Sequence, residues 1–311
     1  MRAVLVDPNA PGCLKMTEVP EPTPLSSQAL VQVKAISLNL GEVRRARNSP
    51  PETLLGWDVS GVVIESAADG SGPAPGERVV GVMNTGAWAD IAAVETEWMT
   101  VLPDSVSCAT AATLPVAGLT ALYALEQGGQ LLGQSVLVTG ASGGVGLFGL
   151  QLAKLSGATV TALIRRRGSD ALVRENGASH VVIGETAEGA AAYGPFRCIL
   201  DSVGGQVLSD SLKLVSRGGM LVNYGVSAGE ESTIRAGDFF RAGRACYYGL
   251  YLFTEFGRRP AKYGLRVLVD LVAQEKLNVH VGAEGNLDDL GDLAEQLYNR
   301  QISGKAIIHV D

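Results

Sequence analysis

Gly140, Gly143 and Gly146 recur at every third position between an apolar strand-like run, Val136-Leu137-Val138-Thr139, and a helix-like run from Leu147 to Leu155. Glycines that carry a strand into a helix build an anion site, because the first N–H groups of the helix are unpaired and its positive dipole end faces the turn. Lacking Cβ atoms, they let the backbone approach a pyrophosphate closely. The spacing is Gly-x-x-Gly-x-x-Gly and not the common Gly-x-Gly-x-x-Gly. Its weight therefore comes from the strands on either side, since such a fingerprint counts only in a strand–turn–helix–strand context. The second strand candidate, Ala158 to Ile164, runs into Arg165-Arg166-Arg167, with no carboxylate before Asp170. A cofactor with a free ribose 2′-OH needs an Asp or Glu at that point, whereas guanidinium forks suit a 2′-phosphate. The stretch reads as an NADP(H) site made of Gly140, Ser142, Gly143, Gly144, Val145, Arg165, Arg166 and Arg167. The alternatives are a glycine turn without ligand and a solvated basic turn.

The elements that must position such a site follow from the rest of the chain. At 311 residues two domains are the natural expectation. Residues 1–118 read as β-rich: Ala3 to Val6, Leu30 to Ile36, Gly61 to Ile64 and Arg78 to Val82 are strand-like, separated by clusters such as Pro20-Glu21-Pro22-Thr23-Pro24. From residue 119 apolar strands alternate with helices, with further strand candidates at Val181 to Ile183, Cys198 to Asp201 and Met220 to Tyr224. That alternation implies a parallel sheet with ligands beyond the strands' carboxyl ends. Leu208 to Val215 is expected to be a helix closed by Gly218-Gly219. After residue 252 come two amphipathic helices, Tyr263 to Lys276 and Leu287 to Arg300, and a terminal strand from Lys305 to Val310. The expected organisation is an α/β chain with a dinucleotide-binding domain, 119–252, inserted between the halves of a second domain, 1–118 and 253–311, and a catalytic cleft between them.

Composition excludes other classes. A net charge of −7 argues against nucleic-acid and anionic-membrane partners, and no apolar run is long enough for a membrane span or a signal peptide. A soluble, cytoplasmic protein acting on a small molecule is expected. Cys13, Cys108, Cys198 and Cys246 are scattered, as are His180, His280 and His309, so neither a disulfide framework nor a metal site is expected.

In order and spacing, several pieces resemble the medium-chain dehydrogenase/reductase superfamily, specifically its zinc-independent quinone oxidoreductase and enoyl reductase branch. They are Met1-Arg2-Ala3-Val4 with Glu18-Val19-Pro20-Glu21-Pro22, Val33-Lys34-Ala35, Ser37-Leu38-Asn39, and Pro75-Gly76-Glu77-Arg78-Val79. Further on come Ala112-Thr113-Leu114-Pro115, Gly118-Leu119-Thr120-Ala121, Asp201-Ser202-Val203-Gly204-Gly205 and Gly218-Gly219-Met220-Leu221-Val222. The resemblance covers essentially the whole chain. It implies a GroES-like β-rich catalytic domain plus a Rossmann domain, a homodimer, and NADPH as cofactor. It places Asn39 near the nicotinamide, Thr120 near a cofactor ribose or phosphate, and Val203, Gly225, Leu250 and Tyr251 along the cofactor. Each of these could instead be a turn or packing residue.

Zinc-dependent relatives carry Gly-His-Glu where this chain has Gly56-Trp57-Asp58, and Asp90 to Asp104 contains no cysteine for a structural zinc loop. The resemblance therefore implies hydride transfer to an electrophilic carbon, in an enone, an enoyl group or a quinone, and not zinc-assisted alcohol oxidation. The family's Asn-x-x-Asp-x-Tyr-x-Arg stretch reads here Asn39-Leu40-Gly41-Glu42-Val43-Arg44-Arg45-Ala46, so Arg44 replaces the substrate-facing tyrosine. Catalytic candidates are Asn39, Arg44 and Tyr224. Arg44 or Arg45, in what reads as a loop, could polarise a carbonyl or bind a carboxylate, or be a surface arginine paired with Glu42 or Glu52. Tyr224, Tyr247, Tyr248 and Tyr251 are the remaining candidate proton donors, unless solvent protonates the product. The missing tyrosine also leaves open a member that binds NADP(H) but has lost redox activity and serves a non-redox catalytic or sensor role.

Overall fold

Short apolar runs cut by proline and glycine clusters make the first part of the chain a set of antiparallel strands. In a computed structural model describing residues 1–311, these are β1 (Arg2–Val6), β2 (Leu14–Glu18), β3 (Gln28–Leu38), β4 (Asp58–Glu65), β5 (Arg78–Val82), β6 (Ile91–Glu95) and β7 (Met99–Val101). The middle of the chain supplies β8 (Ser135–Thr139), β9 (Thr159–Ile164), β10 (His180–Ile183), β11 (Phe196–Asp201), β12 (Val215–Asn223) and β13 (Cys246–Gly249). β14 (Val281–Asn286) and β15 (Lys305–His309) complete the set. The chain forms two compact units, one of residues Met1–Leu119 and Phe256–Asp311, the other of Thr120–Glu255.

In the first unit β1 and β2 form a hairpin, and a seven-stranded sheet runs β14-β15-β3-β4-β5-β7, with β6 also paired to β3. The C-terminal strand β15 lies antiparallel to β3, placing Ala306 opposite Leu38 and Ile308 opposite Ile36. Val31, Val33, Ile36, Val59, Trp88 and Ile308 fill the core of this unit.

The second unit is one parallel sheet in the order β10-β9-β8-β11-β12-β13. Leu137, Phe196, Ile199 and Leu221 from three of its strands share a buried cluster. Strands buried on both faces need continuous apolar runs, which is what Val136 to Val138 and Cys198 to Leu200 provide. The order reverses between β8 and β11, and loops beyond the carboxyl ends there form the usual ligand crevice of an open α/β sheet. The expected fold class, GroES-like β-rich domain plus Rossmann sheet, is the one observed. No helix is long and apolar enough to cross a membrane.

Two local expectations are corrected. The helix expected over Leu208 to Val215 spans Gly205–Leu212, and Gly218-Gly219 is not its cap but lies inside β12. Between the pairs Phe196/Val215 and Cys198/Met220, β12 runs through Ser216 to Gly219 while β11 runs through Arg197 alone. The glycines sit in that bulge, and Arg197 braces it by donating to the carbonyls of Gly218 (2.5 Å) and Gly128 (3.0 Å). The arginine-bearing stretch after Asn39 is not a loop but a helix, Leu40–Asn48, started at Asn39 by the Glu42 carboxylate reaching back to the Asn39 N–H (2.9 Å).

Candidate functional site

In the second unit the glycine turn sits between the end of β8 and the helix Gly144–Leu155. Gly140 has φ 59°, a left-handed conformation that a Cβ would strain. Gly143 donates to the Gly140 carbonyl and Leu147 to the Gly143 carbonyl, both at 3.0 Å. The N–H groups of the first helical turn are thus left pointing at the turn's mouth. A Cβ on Gly146 would lie 2.6 Å from the Gly140 carbonyl oxygen and 2.7 Å from Ala141 Cα, so helix and strand meet where only glycine fits. Ser142 and Val145 are half-buried beside this turn. At the carboxyl end of the neighbouring β9, Arg165, Arg166 and Arg167 are all exposed. These backbone donors and guanidinium groups are of the kind that could hold a phosphorylated dinucleotide.

Asp201, at the end of β11, shapes the adjoining loop. Its carboxylate accepts from the Thr139 hydroxyl (2.6 Å), the Gly204 N–H (3.1 Å), the Val203 N–H (3.3 Å) and Asn223 Nδ2 (2.8 Å). Three strand ends, β8, β11 and β12, are tied at one carboxylate. Burial raises the Asp201 carboxyl, and these donors work against that shift. Val203 and Gly225 follow β11 and β12, Leu250 and Tyr251 follow β13, and Leu250 donates to the Asn223 carbonyl (2.8 Å). Leu250 is buried and Tyr251 exposed, while Thr120 is buried in the same unit. Val203, Gly225, Leu250 and Tyr251 therefore lie on loops at the carboxyl edge of the sheet, whereas Thr120 is in a helix and Gly144 and Val145 open one.

The tyrosines differ sharply. The Tyr224 hydroxyl is buried, and burial followed by the charge of Asp201 pushes its phenol far above the ordinary range. A phenol so enclosed is poorly placed to protonate a substrate. Tyr247 donates to Asn223 Oδ1 (3.3 Å) and Tyr248 to Glu255 (2.6 Å).

The first unit holds a buried polar cluster at the junction of β3, β4, β15 and the helix Leu40–Asn48. Asp58 Oδ2 accepts from the Ser37 hydroxyl (2.6 Å), Asn39 Nδ2 (2.8 Å) and Lys305 Nζ (3.3 Å), and its Oδ1 accepts from the Val116 N–H (2.8 Å). Glu42 accepts from Asn39 Nδ2 (2.9 Å) and the Trp57 N–H (2.5 Å). Burial first, and the negative charge of Asp58 second, push the Glu42 carboxyl up to about 8. Glu42 is therefore not a surface partner for Arg44 or Arg45. Arg44 is half-buried and Arg45 exposed on the same helix. No three His, Cys, Asp or Glu side chains come together in a way that could hold a metal ion.

Residues 26–104 match the family described as alcohol dehydrogenase GroES-like domain, and residues 144–265 the family described as zinc-binding dehydrogenase. The chain is 38% identical to the chloroplastic quinone-oxidoreductase QR1 of Triphysaria versicolor, over 63% of this chain and 64% of that protein. It is 39% identical to a chloroplast envelope quinone oxidoreductase homolog of Arabidopsis thaliana, over 58% and 60%. The chain thus spans under two thirds of the length of these curated relatives. Its fold superposes on the quinone oxidoreductase of Coxiella burnetii with TM-score 0.86, at 27% identity and covering 100% of this chain and 99% of the other. The chain belongs to the medium-chain dehydrogenase/reductase superfamily, in its quinone oxidoreductase branch. A mycobacterial structure complexed with NADPH also superposes, with TM-score 0.89, 26% identity and 99% of each chain covered.

Within this superfamily member, the Trp57 indole packs over Gly41, where a Cβ would lie 2.9 Å from the ring. Sequence reasoning picked out Asn39 but missed Lys305, Asp58 and Glu42 around it. The available signal was a charged residue opening each of two apolar strands, Asp58 before Val59 and Lys305 before Ala306, Ile307 and Ile308.

Proposed function

We propose that this chain is an NADPH-dependent oxidoreductase that reduces an activated C=C bond or a quinone without a catalytic zinc. The observation that carries the reading is the Gly140–Gly146 turn at a helix N-terminus beside three exposed arginines, in a strand end lacking any carboxylate. The geometry fits the cofactor: Gly146 admits no Cβ, and the donors at the turn face outward. When bound, NADPH supplies the hydride. The chain's own part is to bind the phosphates, orient the reactants and keep the first unit's polar cluster fixed. Relatives named as quinone oxidoreductases, the NADPH complex of the mycobacterial neighbour, and a 2-methylene-furan-3-one reductase of Solanum lycopersicum, 34% identical over 63% of the chain, support it. Asn39 and Arg44 are the first unit's contacts to bound ligand in this reading.

The test follows NADPH absorbance with a panel of quinones, 2-enals and enoyl thioesters, with and without chelator. Turnover insensitive to chelator is expected. Tight NADPH binding with no turnover on any acceptor would replace this reading by a non-redox role. The reading includes a homodimer, supported by the sheet-edge position of β13 and by Phe240, 82% exposed nearby in sequence. It also includes a cytoplasmic location, which suits four free cysteines.

A further inference from the structure

At the end of β12, behind the loops that follow β8, β11 and β12, the Asn223 side chain joins two of them. Its Nδ2 donates to Asp201 Oδ2 and to the Gly225 carbonyl, both at 2.8 Å, and its Oδ1 accepts from the Tyr247 hydroxyl (3.3 Å). The reverse orientation would set the amide oxygen against a carboxylate and a carbonyl, so charge fixes the orientation. Asp201 faces donors alone: besides Asn223, the Thr139 hydroxyl and the N–H groups of Val203 and Gly204, which marks it as an ionised acceptor. Thr139 in turn accepts from the Ser202 N–H (3.2 Å) and directly precedes Gly140. Backbone bonds from Tyr224, Ser227 and Ala228 to the carbonyls of Asp201, Ser202 and Val203 lay the third loop along the second. The Gly225 carbonyl is held instead by the Asn223 side chain. Packing there is close: a Cβ on Gly225 would lie 3.0 Å from the Ser202 carbonyl oxygen, and one on Gly204 3.1 Å from Val226 Cα. A turn of the Gly225 peptide therefore displaces both loops.

We infer that Asn223 is a positioning residue for the dinucleotide: it ties the Gly225 peptide to the Asp201 carboxylate, so that the loops after β8, β11 and β12 present one fixed surface to the cofactor. The inference rests on the reading that these loops bind NADPH. Asn223 acts through Gly225 and Asp201 and touches no reacting atom. Loops held in place beforehand need not be ordered on binding, so the effect falls on cofactor affinity before it falls on the hydride step.

The test uses two variants of the full-length protein. Asn223→Leu keeps the shape and removes both donors. Its NADPH affinity, read by fluorescence titration, is expected to fall about tenfold, the value of one hydrogen bond to a charged group. The loss should appear in KM for NADPH more than in kcat. Amide hydrogen exchange at Ser227 and Ala228 should quicken at least about tenfold, while exchange at Val136 to Val138 in the middle of the sheet stays as it was. Asn223→Asp supplies a readout that a merely structural role would not move. It sets a carboxyl oxygen where Nδ2 now lies, 2.8 Å from Asp201 Oδ2, and two carboxylates that close share a proton. The shared proton restores the link to Asp201, and its loss breaks it. The other titratable groups facing this position are the phenols of Tyr224 and Tyr247, both raised first by burial and so protonated throughout. Affinity of Asn223→Asp, taken as a ratio to wild type at the same pH to cancel the cofactor's own titration, should rise at least about fivefold from about pH 8.5 to about pH 5.5. The same ratio for Asn223→Leu should stay flat.

A pH-independent ratio in Asn223→Asp, an affinity within about twofold of wild type in Asn223→Leu, or a kcat that falls with affinity unchanged would each overturn the inference. A wild type that binds no NADPH defeats the cofactor reading and this use of Asn223 with it. Exchange at Ser227 and Ala228 then shows separately whether Asn223 holds the loop, so the two failures are told apart.

Discussion

Lys305 Nζ and Asp58 Oδ2 lie 3.3 Å apart with side chains only 3% and 0% exposed, joining the C-terminal strand β15 to β4 across 247 positions of sequence. Their attraction must offset the loss of hydration of both ions, so the pair is weak evidence of net stabilisation. Breaking it is a different matter. Asp58→Ala leaves an ammonium enclosed with only neutral acceptors and is expected to cost about 3–5 kcal/mol in chemical denaturation. A cost below about 1 kcal/mol would show that water reaches Lys305 in the folded protein.

Glu42 makes folding pH-dependent. Burial and Asp58 raise its folded carboxyl to about 8 from an ordinary 4.5. Between those values the folded state holds a proton that the unfolded chain has released, so stability falls as pH rises from about 4.5 to about 8 and levels off above. Glu42→Gln carries no titrating proton and should flatten this decline in denaturation midpoints taken from pH 5 to pH 9, roughly spanning that window. Identical slopes in wild type and variant would place the titration elsewhere.

The fold was legible because both units announce themselves locally. Glycines after Val136 to Thr139 and the apolar runs at Val181, Cys198 and Met220 specify a parallel sheet, and the carboxyl-end loops that carry Val203, Gly225 and Leu250 follow from it. The Asn39 cluster was not legible beyond Asn39 itself. Its members are brought together by the antiparallel pairing of β15 with β3 and β3 with β4, which sets Lys305 beside residues some 250 positions away. Nothing near Lys305 in sequence reports that pairing. The Leu40–Asn48 helix was missed because its start depends on a capping contact between Asn39 and Glu42, and Gly41 and three arginines hide the helical pattern. Gly218-Gly219 misled for the opposite reason: a glycine pair reads as a helix stop, yet a strand bulge needs one as well.

The glycine turn makes a paired prediction. Gly146→Ala sets a methyl against the backbone of Gly140 and Ala141, which neither can relieve by rotating a side chain. Such overpacking typically costs about 1–3 kcal/mol, and the turn must distort to absorb it. NADPH binding should weaken at least about tenfold by fluorescence titration, since that distortion moves the phosphate donors. Gly143→Ala is the control, with its nearest neighbour at 3.3 Å and φ at −82°. Equal losses in both would mean that any added methyl disturbs the site, and that the contact at Gly146 is not special.

The sheet edge predicts assembly. β13 has a partner only on its β12 side, and Cys246, Tyr247 and Gly249 along it are exposed. Phe240, 82% exposed on the helix Ala236–Ala242, adds apolar surface with no cover. Phe240→Asp, together with Tyr247→Lys on the strand, should shift sedimentation from dimer to monomer at micromolar concentration without lowering thermal stability of the monomer. A wild type that sediments as a monomer throughout would remove the homodimer from the proposal.

The arginines carry the choice of cofactor, and they can be separated from everything else at the site. Arg165, Arg166 and Arg167 are exposed at the end of β9, so replacing them removes charge without opening the core. A charge-assisted hydrogen bond contributes about 1.5–3 kcal/mol, which corresponds to about ten- to a hundredfold in affinity for a 2′-phosphate. The triple alanine variant should lose that factor for NADPH while its weak NADH affinity stays within about twofold, because the ribose diol of NADH has no carboxylate acceptor here in either protein. High salt should erode the wild-type preference in the same direction, since exposed charges are screened within about 8 Å at physiological ionic strength. Parallel losses for both cofactors would mean that the arginines shape the loop and do not read the phosphate. Wild-type binding of NADH as tight as that of NADPH would remove the basis for choosing NADPH at all, leaving the glycine turn as a site for either dinucleotide.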